Sequence, residues 1–114
     1  QASRILAAEM TRKALFLKLH QELPYGIAVE TESWEEKPDG SARIQQVIYV
    51  QRENHKRMVI GKGASMIKAV GEASRKEIEA LLDRKVHLFL HVKVQENWAD
   101  DPDHYNAIGL PFNV

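Results

Sequence analysis

Residues 59–68 read Val59-Ile60-Gly61-Lys62-Gly63-Ala64-Ser65-Met66-Ile67-Lys68. An apolar helix end runs into two glycines around a lysine, and a second helix starts at once. The first turn of that second helix exposes unpaired backbone N–H groups and the positive end of its dipole. Glycine has no Cβ, so a phosphate or ribose can come close to the main chain. Lys62 and Lys68 add charge on either side, and Ile60, Ile67 and Val70 are candidates to line an adjacent apolar groove. This combination suits a splayed single strand held by its sugar-phosphate at the turn. Taken alone, a glycine turn between helices is a common geometric device. The charge around it tips the reading towards function.

That charge is segregated. The 114 residues carry 16 basic and 16 acidic side chains, for a net charge of zero. From Arg52 to Lys76, however, seven basic residues face two acidic ones. Glu30–Gly40 and Glu96–His104 are each acidic by four charges. A basic island between acidic strips points to a localised anionic partner rather than a generally adhesive surface. The length allows one domain, and 44% hydrophobic with 28% charged residues is an ordinary globular mixture. The absence of cysteine rules out disulfides, thiolate metal sites and thiol chemistry. No apolar run is long enough to span a bilayer, and no signal peptide is expected at the start of the chain.

Working outward, residues 2–22 lack Gly and Pro. Ile5, Ala8, Arg12, Leu15, Phe16, Leu19 and Leu23 recur near the helical period, predicting a helix stopped by Pro24. From Tyr25 the pattern alternates, with Tyr25, Ile27 and Val29 on one face and Ala28, Glu30, Glu32 and Trp34 on the other. Lys37-Pro38-Asp39-Gly40 is a turn, and Ala42–Gln51 completes a hairpin with Ile44, Ile48 and Val50 on one face. A short helix capped near Asn54 ends at about Ile60. The helix after the glycine turn covers about Ser65 to Asp83, with Ile67, Val70, Gly71, Ser74, Ile78, Leu81 and Leu82 inward. Val86, Leu88, Leu90, Val92 and Val94 alternate without a fault, which is a strand. A last helical turn or two is expected after Trp98. The fold class is therefore α+β: a three-stranded sheet with helices packed on one face, in the order α-β-β-α-α-β-α.

Catalytic constellations are not expected. A nucleotide P-loop needs a glycine-lysine-serine or -threonine pattern after a long strand, and a dinucleotide fingerprint needs a third glycine where Met66 stands. His87 and His91 share a strand face, but no third ligand at a defined spacing makes them a metal site. Glu35-Glu36 and Asp100-Asp101 read as solvated acidic strips. Ser65 has no His or Asp to activate it and reads as a helix N-terminal residue. Trp34 falls on the Glu-rich face, and Trp98 reads as packing against the body.

The order of elements and the Val-Ile-Gly-x-x-x-x-x-Ile-Lys core resemble a type II KH domain, a module that binds single-stranded RNA. More narrowly, the chain is similar to the C-terminal KH domain of the Era family of bacterial ribosome-assembly GTPases. The resemblance rests on Glu22-Leu23-Pro24-Tyr25, Val47–Glu53, His55–Gly61, Ile67–Gly71, Ala73-Ser74-Arg75, Val86-His87-Leu88, Val92-Lys93-Val94 and Asn97-Trp98-Ala99-Asp100-Asp101. It implies residues 1–22 as a connecting helix from an N-terminal GTPase domain, with the KH unit at 23–114. It implies binding of the single-stranded 3′ end of 16S ribosomal RNA during small-subunit assembly, with no DNA partner and a monomeric state. The groove would be formed by Ile48, Val50, Arg52, Lys56, Arg57, Val59, Ile60, Gly61, Lys62, Gly63, Ala64, Ile67, Lys68 and Val70. GTP hydrolysis, GTP and Mg²⁺ would belong to the GTPase domain, so this chain would not be an enzyme and would hold no cofactor. The implied location is the cytoplasm, with peripheral inner-membrane association of the full-length protein as an option. One departure stands out. The family loop is Gly-x-x-Gly, and Gly61-Lys62-Gly63-Ala64 ends in alanine. If that position is helical, alanine fits; if it needs positive φ, strain follows. The alternative reading is therefore a structural or protein-interaction KH domain with weakened RNA binding.

Overall fold

The computed structural model describes residues 2–20 and 23–95. The chain runs α1 (Ala2–Lys18), β1 (Ala28–Glu36), β2 (Ala42–Val50), α2 (Glu53–Ile60), α3 (Ser65–Leu82) and β3 (Val86–Val94). The expected closing helix, with Trp98 and the Asn97–Asp101 motif, lies outside the described residues. The α+β class with a three-stranded sheet and helices is as expected.

Pro38, Asp39 and Gly40 close the β1–β2 hairpin. The Gly40 N–H donates to Lys37 O at 3.0 Å, and the Asp39 carboxylate accepts from the Ser41 N–H and hydroxyl at 2.9 and 2.6 Å. Those two bonds hold the Asp39 carboxyl below its ordinary range. Because α2 and α3 intervene, β3 returns parallel to β2 and pairs with its free edge. The sheet order is thus β1-β2-β3, with β2 in the centre. α1 packs over β1 and against α3, which packs over β3.

Two apolar clusters fill the space beneath the helices. Leu15, Leu19, Ile48, Val50, Val59 and Val70 form one, and Ala7, Ala42, Ile44, Ile78 and Val86 the other. A polar seam lies between them. Buried Thr11 of α1 donates its hydroxyl to Gln46 Oε1, and Gln46 Nε2 donates to Thr31 Oγ1 at 3.3 Å. Thr31 in turn donates to Arg4 O at 2.8 Å. These bonds tie α1 to β1 and β2 in one register, because an unpaired amide at Gln46 would be costly in this interior.

Several expectations shift. α1 stops at Lys18, well before Pro24, because His20 turns left-handed at φ 56°. Its buried stripe is Ala7, Thr11, Ala14 and Leu15, whereas Ile5 is 64% exposed. The small alanines let α1 approach its neighbours, and Ile5, Phe16 and Leu17 are left on the outer side. β1 starts at Ala28 because Gly26, at φ 82°, turns the chain beforehand. A bulge between Thr31 and Ser33 then reverses the alternation, so Trp34 pairs with Ile44 and packs half-buried on the second cluster, parted from Glu30 and Glu32 but with its indole donating to Glu36 at 2.9 Å. The cap of α2 is Arg52, without a side-chain bond, and not Asn54. Leu81 is exposed, since α3's buried face is Val70, Ser74 and Ile78.

Candidate nucleic-acid interface

The glycine turn takes its shape from three residues with positive φ. Gly61 lies at φ 77°, ψ 171°, a region open in practice only to glycine, and its N–H donates to Arg57 O at 2.8 Å to close α2. A Cβ on Gly61 would stand 2.7 Å from Met66 Cβ and 2.8 Å from Met66 N. Gly61 therefore sets how tightly α2 abuts the start of α3. Gly63, at φ 60°, has open space where a Cβ would stand. Ala64 follows at φ 64°, ψ 21°, with its N–H donating to Gly61 O at 3.1 Å. The alanine thus occupies a left-handed conformation that glycine adopts freely and alanine does not. α3 starts at Ser65 without a side-chain cap, and Ser65 itself does not cap.

The cations divide into two groups. Arg52, Lys56, Arg57, Lys62 and Lys68 take part in no ion pair among the described residues, and all but half-buried Lys56 are exposed. Lower on α3, Arg75 pairs with Glu79 at 3.0 Å and Lys76 with Glu72 at 3.7 Å. Charge free to meet a phosphate therefore gathers at the glycine-turn end of the domain.

From that end a groove of about 430 Å³ runs between α3 and β3. Ile67, Lys68, Gly71, Glu72 and Arg75 line one wall, and Leu88, Phe89 and Leu90 the other. Gly71 keeps the walls close; a Cβ there would rest 3.7 Å from Leu90 Cδ1.

The structure brings Ile67 and Lys68 to the groove; the Gly61–Ala64 turn leads directly into the helix that carries them, with half-buried Ile60 at the end of α2. It withdraws four expected groove residues. Ile48, Val50, Val59 and Val70 are fully buried in the first core cluster. For Ile48 and Val50 the reason is the sheet order: β2 is central, so its inward face lies under the helices, and the strand that borders the groove is β3; Val59 of α2 and Val70 of α3 pack down onto that same inward face. Gly71, Arg75, Leu88 and Leu90 were missed. The signal was present, because β1 occupies one edge of β2 through the hairpin and a parallel crossover strand must then take the other.

This fold and loop define a KH domain. The KH domain family profile matches residues 22–99, and the chain belongs to that family. Within it the similarity is to the C-terminal KH domain of GTPase Era. GTPase Era of Mesorhizobium japonicum is 59% identical over 109 residues, and that of Rhizobium meliloti 60% over the same length. Each alignment covers 96% of this chain and 35% of the relative, so the chain spans about a third of the curated relatives it matches. The crystal structure of Era in complex with MgGDPNP and nucleotides 1506–1542 of 16S ribosomal RNA superposes with a TM-score of 0.81 at 33% identity. That match covers 96% of this chain and 37% of the other. No helix among the described residues is long and apolar enough to cross a membrane.

Proposed function

We propose that this chain binds single-stranded RNA in the α3–β3 groove, with the phosphates held at the Gly61–Ala64 turn. The observation that carries the reading is the meeting of cations unpaired among the described residues, a close-approach glycine turn and a groove with one apolar wall at one end of the domain. The likeness to an Era structure bound to 16S ribosomal RNA supports the 3′ end of that RNA as the natural strand. Apolar Ile67, Leu88 and Leu90 would meet base faces, while Lys62 and Lys68 neutralise phosphates.

The same reading makes α1 the connector from a GTPase domain, with GTP, Mg²⁺ and the small ribosomal subunit belonging to the longer protein. The described residues do not fit GTP: they contain no P-loop pattern and no group of three or more metal-ligating side chains. No nucleotide chemistry is assigned to them.

The test is fluorescence anisotropy with a labelled 16S 3′-terminal strand and a scrambled strand at two salt concentrations. Preferential, salt-sensitive binding is expected. Lys62→Glu should weaken it and flatten the salt slope by at least about 0.7, the contribution of one phosphate on a single strand. Ala64→Gly should bind more tightly, because it removes a methyl from the phosphate-facing turn. Indifference of the wild-type chain to both strands would refute the proposal.

A further inference from the structure

β3 borders the groove with its inward side chains and carries a different set outward. Leu88 and Leu90 face the helices, while His87, Phe89, His91 and Lys93 alternate onto the open face of the sheet. Phe89 belongs to both regions. It lines the groove rim between Leu88 and Leu90, and the residue remains 43% exposed. The Arg43 guanidinium from neighbouring β2 lies 4.7 Å from the ring centroid. Arg43 makes no ion pair among the described residues, although Glu35 is its register partner on β1.

We infer that Phe89, backed by Arg43, is a base-stacking platform for the nucleotide of a bound single strand that lies just outside the groove. The inference rests on the RNA-binding reading above and extends it by one subsite. The 43% of Phe89 left exposed adds nothing to folding, since that area is not removed from water. A guanidinium against it fixes the ring's orientation, so a base can stack without the ordering cost of a mobile side chain. The surrounding charge selects the occupant. Arg43 places its positive charge at the ring itself, and Lys93 follows on the same face of β3 about 13 Å further along the strand, whereas Glu35 sits on β1 on the far side of Arg43. A polyanion crossing the rim therefore meets the Arg43 guanidinium at the ring and Lys93 further along β3. An acidic strand with planar bases fits this asymmetry.

The experiment compares two labelled RNAs: a strand of about four nucleotides, the length a KH loop clamps, and the same strand extended at either end by about three. Phe89→Ala should weaken the extended strand about five- to tenfold and leave the short strand unchanged. Phe89→Tyr, which keeps the ring, should bind both like the wild type. A 2-aminopurine placed in the extension should be quenched on binding to the wild type but not to Phe89→Ala. Circular dichroism would confirm that each variant is folded. Equal effects of Phe89→Ala on both strands, or none on either, would overturn the platform while leaving the groove intact. Failure of the wild type to bind any strand would overturn the RNA reading and this inference with it.

Discussion

The conformation of Ala64 makes a sharp demand on stability. At φ 64°, ψ 21° the residue sits in the left-handed region, and its N–H is committed to Gly61 O. An L-residue with a Cβ is disfavoured there by about 1–2 kcal/mol. Glycine escapes that penalty but loses about 0.4–1 kcal/mol more through the freedom it has in the unfolded chain. Ala64→Gly should therefore stabilise the domain by about 0.5–1 kcal/mol net. For a domain of this size that is a rise in melting temperature of about 2–8 °C. Urea denaturation followed by circular dichroism measures it, with an unchanged m-value showing that the denatured state is the same. The mirror substitution Gly63→Ala tests the same logic in reverse. Open space surrounds that position, so backbone conformation alone, at φ 60°, should destabilise by about 0.5–1 kcal/mol. If Ala64→Gly left stability unchanged or lowered it, the turn would not require positive φ at residue 64, and the strain argument would be wrong.

Other substitutions separate scaffold from surface. Gly61→Ala combines a glycine-only conformation with a 2.8 Å approach to the Met66 backbone, and should lower stability by more than about 3 kcal/mol in the same denaturation assay. Gly71→Ala should do the opposite: its Cβ meets Leu90 at an ordinary 3.7 Å, and alanine favours a helix interior by about 1 kcal/mol, so thermal stability rises while the narrowed groove binds RNA less tightly. Gln46→Ala should cost about 2–4 kcal/mol, because it opens a cavity and removes the partner of both Thr11 and Thr31. Arg84 holds the exposed Glu36 carboxyl down at about 2, chiefly through a bidentate hydrogen bond, aided by the Trp34 indole. With a lowered folded pKa, that contribution is complete above the ordinary value of 4.5 and fades as pH falls towards 2. NMR titration of Arg84→Gln should show the Glu36 pKa moving back up, and a shallower loss of stability over that acid window.

The elements themselves were legible from local pattern. The faultless alternation of Val86 to Val94 delivered β3 to the residue, and Lys37 to Gly40 delivered the hairpin turn. The glycine turn between two helices, with cations around it, was equally plain, because turn chemistry and charge are properties of neighbouring residues. What local pattern could not carry was decided by long-range packing. One bulged residue at 32 put Trp34 opposite Ile44 and against the second core cluster, and a bulge depends on the partner strand. The stripe of α1 turned towards Ala7 and Ala14 because neighbouring elements, not the helix alone, choose which face is buried. Above all, the candidate groove moved from β2 to β3. Ile48 and Val50 look identical in sequence to edge-strand residues; only the parallel return of the chain to the free edge of β2 buries them and leaves Leu88, Phe89 and Leu90 at the rim. The sequence alone determined which segments are strands, helices and turns, since those follow from short-range periodicity. The tertiary structure alone decided which strand lies in the middle, because that depends on pairings between residues far apart in the chain.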